Sequence, residues 1–303
     1  MVSAPLHRAG FVSLIGRSNV GKSTLLNRLV GEKLAIVTPR PQTTRTGITG
    51  IKTLPGAQVI FVDTPGLHEP GGKLGQLMVR TAHRALEEAD LVCLVAEAIE
   101  DAAQLDEGIF KALAGFRGPV FCCLNKVDLA GPRGRVLPLI EAYQARYPFK
   151  EIVPLSAVDG TNCERLLDLI IKALPEHAPY FPPGTLTAQP ETFFVAEVIR
   201  EKLFLLTREE VPYASAVRVE QVEERANRDL LYIRARIFVE KESQKAILIG
   251  KGGAMLKRIG SAARHELESF FRIKVFLELR VEVRRDWRRD GQALREFGLM
   301  LMA

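Results

Sequence analysis

Eight consecutive residues, Gly16-Arg17-Ser18-Asn19-Val20-Gly21-Lys22-Ser23, have the types and order of a polyphosphate cradle. Glycines let successive backbone N–H groups turn inward around phosphate oxygens, and the helix that follows adds the partial positive charge of its N-terminus. The motif lies between an apolar run at 11–15 and a helical pattern at 24–30 that opens on Thr24, the context such a loop requires. Lys22 is then placed to reach the β- and γ-phosphates, and the Ser23 hydroxyl to ligate Mg²⁺. Asp63-Thr64-Pro65-Gly66 closes another apolar run, 59–62; an acid there can hold Mg²⁺ through water, and the Gly66 N–H can approach a terminal phosphate. Asn125-Lys126-Val127-Asp128 follows the run 120–124. A carboxylate accepts from paired N–H donors, which guanine presents at N1 and N2 and adenine does not. Asp128 is therefore expected to read guanine, with Asn125 near the O6/N7 edge and Lys126 along the ring plane. Ser156-Ala157, after the run 152–155, offers backbone N–H to O6.

A second constellation lies near the other end of the chain. Ile249-Gly250-Lys251-Gly252-Gly253 sits between two helical patterns; without a Cβ at Gly250 and Gly253 a sugar–phosphate backbone can come close, and Lys251 adds charge. The tetrapeptide G-x-x-G has no weight alone, since it recurs at 47–50, 72–75, 115–118 and 131–134. Its surroundings give it weight: residues 241–289 hold 13 Lys/Arg against 6 Asp/Glu. Lys245, Lys257 and Arg258 flank the loop closely enough to line one groove with Ile247 and Ile249, where phosphates meet charge and splayed bases meet apolar surface. Arg284, Arg285, Arg288 and Arg289 around Trp287 form a further basic cluster, open to nucleic-acid phosphates or to an anionic membrane surface.

The elements that must position these residues follow from the rhythm of the chain. Up to about residue 174, apolar runs at 11–15, 59–62, 90–96, 120–124 and 152–155 alternate with helical patterns, which argues for an α/β domain with a mostly parallel sheet covered on both faces. Ligands of such sheets sit at the carboxyl ends of the strands, where each of the first set of motifs falls. Residues 174–190 hold five of the 17 prolines and read as a flexible linker. Beyond it come a helix, two alternating segments, a helix-loop-helix and a long period-two strand at 273–283, expected as antiparallel strands backed by helices in a small α+β domain. The division is thus 1–176, a linker at 177–191, and 192–303 with a basic tail. The net charge of +6 divides unevenly, with 20 Lys/Arg against 19 Asp/Glu in residues 1–192 and 22 against 17 in residues 193–303. No apolar run reaches the roughly 18–20 residues of a membrane-spanning helix, and the first residues run into a strand rather than a signal peptide. Cys93, Cys122, Cys123 and Cys163 lack zinc spacing and read as buried thiols of a reducing compartment. Secreted, membrane-spanning and disulfide-stapled classes are excluded on these grounds.

The ordered set GRSNVGKS, PQTTR, DTPG, NKVD and SA resembles the Era family of translation-factor-class GTPases. The order helix, strand, strand, helix, G-x-x-G, helix, strand resembles the type II KH domain, whose loop clamps about four nucleotides of single strand. The resemblance implies a Ras-like domain hydrolysing GTP to GDP with Mg²⁺, then a KH domain that binds the single-stranded 3′ region of 16S rRNA, in a factor that assists assembly of the 30S subunit. It implies catalytic parts for Lys22, Thr44 and Gly66, and Thr44 beside Ser23 and Asp63 at the metal, with Thr43 as the rival threonine. Asn19 matches an asparagine that holds a catalytic K⁺ in some relatives; hydrolysis would then be faster in K⁺ than in Na⁺, and equal rates would remove the argument. Position 18, often proline in the family, is Ser18 here, and Leu67 stands where many GTPases place a water-orienting glutamine, with His68 beside it. A cytoplasmic monomer is expected, with weak peripheral association at the inner face of the cell membrane as a further implication. GTP would order both switch loops, hydrolysis would release them, and the KH groove would be exposed or reoriented by the change.

Overall fold

The computed structural model describes residues 7–66, 71–99, 107–131, 136–225 and 229–300. They divide into two compact units, 1–69 with 78–188 and 70–77 with 189–303. The first unit is built on a six-stranded sheet. Its strands are β1 (Arg8–Ile15), β2 (Ile48–Leu54), β3 (Ala57–Asp63), β4 (Leu91–Glu97), β5 (Val120–Asn125) and β6 (Glu151–Pro154), in the spatial order β2-β3-β1-β4-β5-β6. Every pairing is parallel except β2 with β3. All six residues of β5 and the first six of β4 are buried, as expected of strands covered on both faces. The helices are α1 (Lys22–Val30), α2 (Gly72–Glu87), α3 (Glu107–Leu113), α4 (Val136–Arg146) and α5 (Cys163–Ala173). From β1 the chain builds outward first to one side and then, from β4, to the other. The crevice between the ends of β1 and β4 is therefore the topological switch point, where ligands of open α/β sheets sit. The four cysteines are buried and free.

β2 is an element that the apolar runs do not show. Its sequence, ITGIKTL, is broken by glycine, lysine and threonine, and it is the one antiparallel strand of the sheet, at its edge. The glycine is required: a Cβ at Gly50 would lie 2.8 Å from Val30 Cγ2 and 3.1 Å from Leu26 Cδ2, where α1 packs down on β2.

The second unit contains α6 (Glu191–Leu206), β7 (Ala216–Arg225), β8 (Leu230–Val239), α7 (Glu242–Ile249), α8 (Ala254–Phe271), β9 (Lys274–Val283) and α9 (Gly291–Glu296). Its sheet has the order β7-β8-β9. Here the structure corrects an expectation: β7 and β8 are antiparallel, but β8 and β9 run parallel, in register from Leu230 against Lys274 to Val239 against Val283. The pair α7–α8 is a crossover that returns the chain to the end of the sheet where β8 began, which a hairpin cannot do. Ile233, Ala235, Ile237 and Val239 point from β8 into a core shared with Val195, Val198 and Ile199 of α6 and Ile259, Ala263 and Leu267 of α8.

The proline-rich segment differs from its composition. Over 177–188 it belongs to the first unit and is bonded to it. Gln58, fully buried on β3, accepts from the Tyr180 and Phe181 N–H groups at 2.8 and 2.9 Å and donates to the Phe181 carbonyl at 2.9 Å. The Ile51 N–H donates to the Leu186 carbonyl, Thr187 Oγ1 donates to the Thr49 carbonyl at 2.6 Å, and the Tyr180 ring meets Phe11 edge-on. Proline density rules out helix and central strand but leaves carbonyls able to accept, so the free tether is replaced by a strap anchored at the buried Gln58 amide and at Ile51 and Thr49. Gln58→Leu removes the partner of three part-buried backbone groups, a cost of about 1–3 kcal/mol. A lower unfolding midpoint for the first unit and new protease cleavage within 178–186 are expected; cleavage and melting like the parent's would contradict the role given to Gln58.

Candidate nucleotide site and nucleic-acid groove

The loop after β1 can be made only with glycine at two positions. Gly16 has φ +145° and a Cβ there would lie 2.2 Å from the Val95 carbonyl oxygen; Gly21 has φ +97° and a Cβ would lie 2.3 Å from Asn125 Nδ2. Between them Arg17 is exposed, Val20 is buried and Asn19 takes the left-handed conformation, its Nδ2 donating to the Pro39 carbonyl at 3.1 Å. Lys22 folds back under the loop and donates to the Gly16 and Arg17 carbonyls at 3.1 and 2.8 Å. Burial pushes its ammonium down to about 8, against the pull of the Asp63 charge.

Three oxygens converge beyond it. Ser23 Oγ donates to Asp63 Oδ2 at 2.5 Å, Thr44 Oγ1 donates to the same atom at 3.2 Å, and the two hydroxyls lie 3.1 Å apart. Asp63 has no exposure; burial raises its carboxyl, and Lys22, Ser23 and Thr44 oppose the shift. Its Oδ1 has no hydrogen-bond partner among the described residues. A buried carboxylate with one oxygen unpartnered, facing two hydroxyls, fits a hard divalent cation that takes oxygen ligands. The geometry also separates the two threonines: Thr43 Oγ1 donates to the Arg40 carbonyl at 2.8 Å and meets Thr38 Oγ1, so it ties the loop to itself while Thr44 faces the cluster. A cavity of about 610 Å³ opens above, lined by Ser18, Asn19, Gly21, Lys22, Ser23 and Thr24 on one side, by Thr43, Thr44 and Gly66 across it, and by Lys126 at its end. Gly66 is tight against the loop, since a Cβ would lie 2.5 Å from Ser18 Oγ. Leu67 and His68 lie outside the described residues.

On the base side the structure redistributes the expected parts. Asn125 is buried and acts as a brace: its Nδ2 donates to the Val20 carbonyl at 2.8 Å and its Oδ1 accepts from the Ala157 N–H at 2.9 Å. The Ser156 N–H donates to the Thr161 carbonyl at 3.1 Å. Both N–H groups expected for O6 are thus bonded within the protein, because the loop must first hold its own turn. Lys126, left-handed at φ +67°, pairs with Glu97, and Asp128 is exposed. A residue absent from the sequence reading completes the frame. Arg28, on α1, donates from Nε to the Ala157 carbonyl at 3.1 Å and from a terminal nitrogen to the Val158 carbonyl, and its guanidinium lies 3.7 Å from where a Cβ on Gly160 would be. From sequence a basic residue in the last turn of a helix reads as a partner of the helix dipole; only the fold brings residue 157 to it. The guanine-side loop is therefore held at Ala157 N by Asn125 and at Ala157 O by Arg28.

In the second unit, α7 ends at Gly250 and a short 3-10 turn, Lys251–Gly253, leads into α8. Gly250, Gly252 and Gly253 all have positive φ, and no atom lies within 4 Å of a Cβ placed on Gly252 or Gly253. From this loop a groove of about 420 Å³ runs between α8 and β9, walled by Gly253, Lys257, Gly260, Ser261 and Arg264 and floored by Leu256, Leu277 and Leu279. Of the expected residues Gly253 and Lys257 line it, Lys251 and Arg258 are exposed, Ile247 and Lys245 sit on α7, and Ile249 packs against the core. Gly260, Ser261 and Arg264 were missed, although positions 253, 257, 260 and 264 share one helix face at the i, i+3, i+4 spacing. The C-terminal basic cluster is partly neutralised: Arg284 pairs with Asp290 and Glu296, Arg288 pairs with Glu240, and Trp287 is buried with its indole N–H on the Ala214 carbonyl at 2.8 Å.

For Arg28→Ala, GDP affinity is expected to fall about thirtyfold, as two hydrogen bonds of about 1 kcal/mol each are lost from the base-side loop, while any affinity for ADP stays the same. Equal losses for the two nucleotides would make Arg28 a prop of the helix only.

Two family models match the chain in order, the 50S ribosome-binding GTPase over residues 11–126 and the KH domain over residues 210–288. It is 53% identical to GTPase Era of Geobacter metallireducens over 291 residues, 96% of this chain and 97% of that one, and 50% identical to GTPase Era of Geotalea uraniireducens with the same coverage. Among solved structures, a tyrosine-to-alanine variant of Aquifex aeolicus Era bound to GDP·AlF4⁻ is 43% identical with a TM-score of 0.94, covering 97% of this chain and 100% of its own. Era in complex with MgGDPNP and nucleotides 1506–1542 of 16S ribosomal RNA is 42% identical with the same TM-score and coverage. A phosphate loop, a switch threonine on a buried aspartate and a G-x-x-G groove, in one chain that matches these proteins from end to end, place it in the Era family of GTPases, with a GTP-hydrolysing α/β domain followed by a KH domain.

Proposed function

We propose that this GTPase uses its nucleotide state to act on the small ribosomal subunit: it binds the single-stranded 3′ region of 16S rRNA through the α8–β9 groove and assists assembly of the 30S subunit. The observation that supports this best is the groove itself. Open glycines lead into a helix N-terminus, Lys257 and Arg264 supply charge for phosphates, and Leu256, Leu277 and Leu279 make an apolar floor for splayed bases. A relative at 42% identity carries a 16S rRNA segment.

In the first unit, Lys22 would exchange its two loop carbonyls for β- and γ-phosphate oxygens. The N–H groups of residues 16–24 would surround the phosphates, and the Gly66 N–H would meet the terminal one. Ser23 and Thr44 would hold Mg²⁺ directly and Asp63 through water; the ion supplies neutralisation of charge on the transferring phosphoryl group. Asp128 would accept from guanine N1–H and N2–H₂, with Lys126 along the ring and the braced Asn125, Ser156 and Ala157 fixing the loop beneath O6. Asn19 would hold a K⁺ through its Oδ1, with Nδ2 kept on the Pro39 carbonyl, and the ion would supply further positive charge beside the phosphates. The site is a cytoplasmic one in this reading. A membrane-docking tail is not favoured, because Arg284 and Arg288 are paired and Trp287 is buried, and no helix among the described residues is long and apolar enough to cross a membrane.

Cross-linking the GTP-loaded protein to total cellular RNA and sequencing the adducts tests the assignment. Adducts concentrated at the 3′ end of 16S rRNA are expected, and their absence there would overturn it.

A further inference from the structure

The solvent face of the second unit's sheet carries a row of charges and one departure from it. Arg236 pairs with Glu220 and Glu282, Arg234 with Glu220, and Arg280 with Glu278. At the end where β8 and β9 begin, the pattern gives way to aromatics. Tyr232 and Phe276 are register partners on the two strands, with ring centroids 5.8 Å apart and ring planes 14° from parallel. The Arg225 guanidinium lies 4.6 Å from the Tyr232 centroid, and the Tyr232 hydroxyl donates to Glu278 at 2.7 Å. Tyr232 is thus fixed by partners on every side. Phe276 is not: it is 54% exposed and stands on the edge strand. Tyr232 is the one aromatic partner of Phe276 among the described residues, and β9 has no strand beyond it in the sheet.

β9 is also the strand whose Leu277 and Leu279 floor the groove. Phe276 and Leu277 are neighbours along the strand, about 3.3 Å apart, and point to its two faces. The same free edge therefore bounds the groove on one side and the aromatic stack on the other. Beside Phe276, Arg272 and Lys274 are exposed and make no ion pair among the described residues, while the nearby acids have partners: Glu278 with Tyr232 and Arg280, Glu223 with Gln221. Unpaired cations beside an open ring face suit a phosphate backbone with an unstacked base.

We propose that the Arg225–Tyr232–Phe276 stack is a second RNA contact, on which a base beyond the groove stacks as the single strand passes over the edge of β9. This rests on the reading of the groove as a single-strand site. Arg225 and Tyr232 act as the fixed end of the stack, Phe276 takes the base, and Arg272 and Lys274 meet the flanking phosphates.

The test uses the full chain and fluorescent oligoribonucleotides tiled through nucleotides 1506–1542 of 16S rRNA, in one set of five nucleotides and one of ten. Phe276→Ala is expected to weaken the best ten-nucleotide ligand about tenfold and to leave the best five-nucleotide ligand unchanged; Phe276→Tyr is expected to restore the parent affinity. Long-oligomer affinity untouched by Phe276→Ala, or equal weakening of short and long oligomers, would overturn the second contact while leaving the groove reading intact. If neither set binds the parent protein, the groove reading fails and this inference fails with it.

Discussion

A fully buried carboxylate sets the terms for the first unit. Asp63 ends strand β3 with no exposure, faces the Ser23 and Thr44 hydroxyls, and keeps one oxygen without a partner among the described residues. Its compensation comes from the two hydroxyls and from the charge of Lys22, itself buried and pushed down to about 8. A buried charge is tolerated when it is paired and hydrogen-bonded, and here the set is complete only with phosphate on the lysine side and a cation on the aspartate side. Much of the surrounding structure serves that arrangement: β1 and β3 pair in parallel so that the loop and Asp63 emerge side by side, Gly16 and Gly21 let the loop turn, and Thr44 reaches in from the segment before β2.

The site is tied to its base-reading end through side chains that touch no phosphate. Asn125 links the phosphate loop at Val20 to the loop at Ala157, and Arg28 links α1 to the same loop from the other side. The phosphate loop and the loop at Ala157 are therefore joined by hydrogen bonds from residues that pattern matching assigns elsewhere. Asn125, which reads from sequence as a base contact, is also the brace between these loops.

Legibility followed locality. The phosphate loop, Asp63 and the alternation of strands and helices are written in contiguous residues, so sequence finds them. Thr44 against Thr43 could not be separated by sequence, since adjacent threonines differ only in which way the loop turns them. β2 hid behind Gly50 and Lys52, whose presence is explained by α1 packing on the first and by the second's ammonium donating to the Val30 carbonyl at the end of α1. The parallel pairing of β8 and β9 depends on the two helices between them rather than on either strand. Of the residues expected at the loop, Gly253 and Lys257 line the α8–β9 groove, whose wall along α8 requires the partner strand β9 to be in view. The proline-rich strap is held by Gln58, far away in sequence and silent in composition.

The central claim is that the nucleotide phosphates complete an electrostatic set that burial leaves open at Lys22. Calorimetry of GDP binding at pH 8.5, without divalent metal, in two buffers of different ionisation enthalpy tests it directly. Free Lys22, at about 8, is mostly neutral at that pH; an anion beside it raises its affinity for a proton, so binding takes one up, and affinity declines as pH rises above 8. The account predicts uptake of a large fraction of one proton per GDP. Binding enthalpies that are the same in both buffers, or that show proton release, would contradict it.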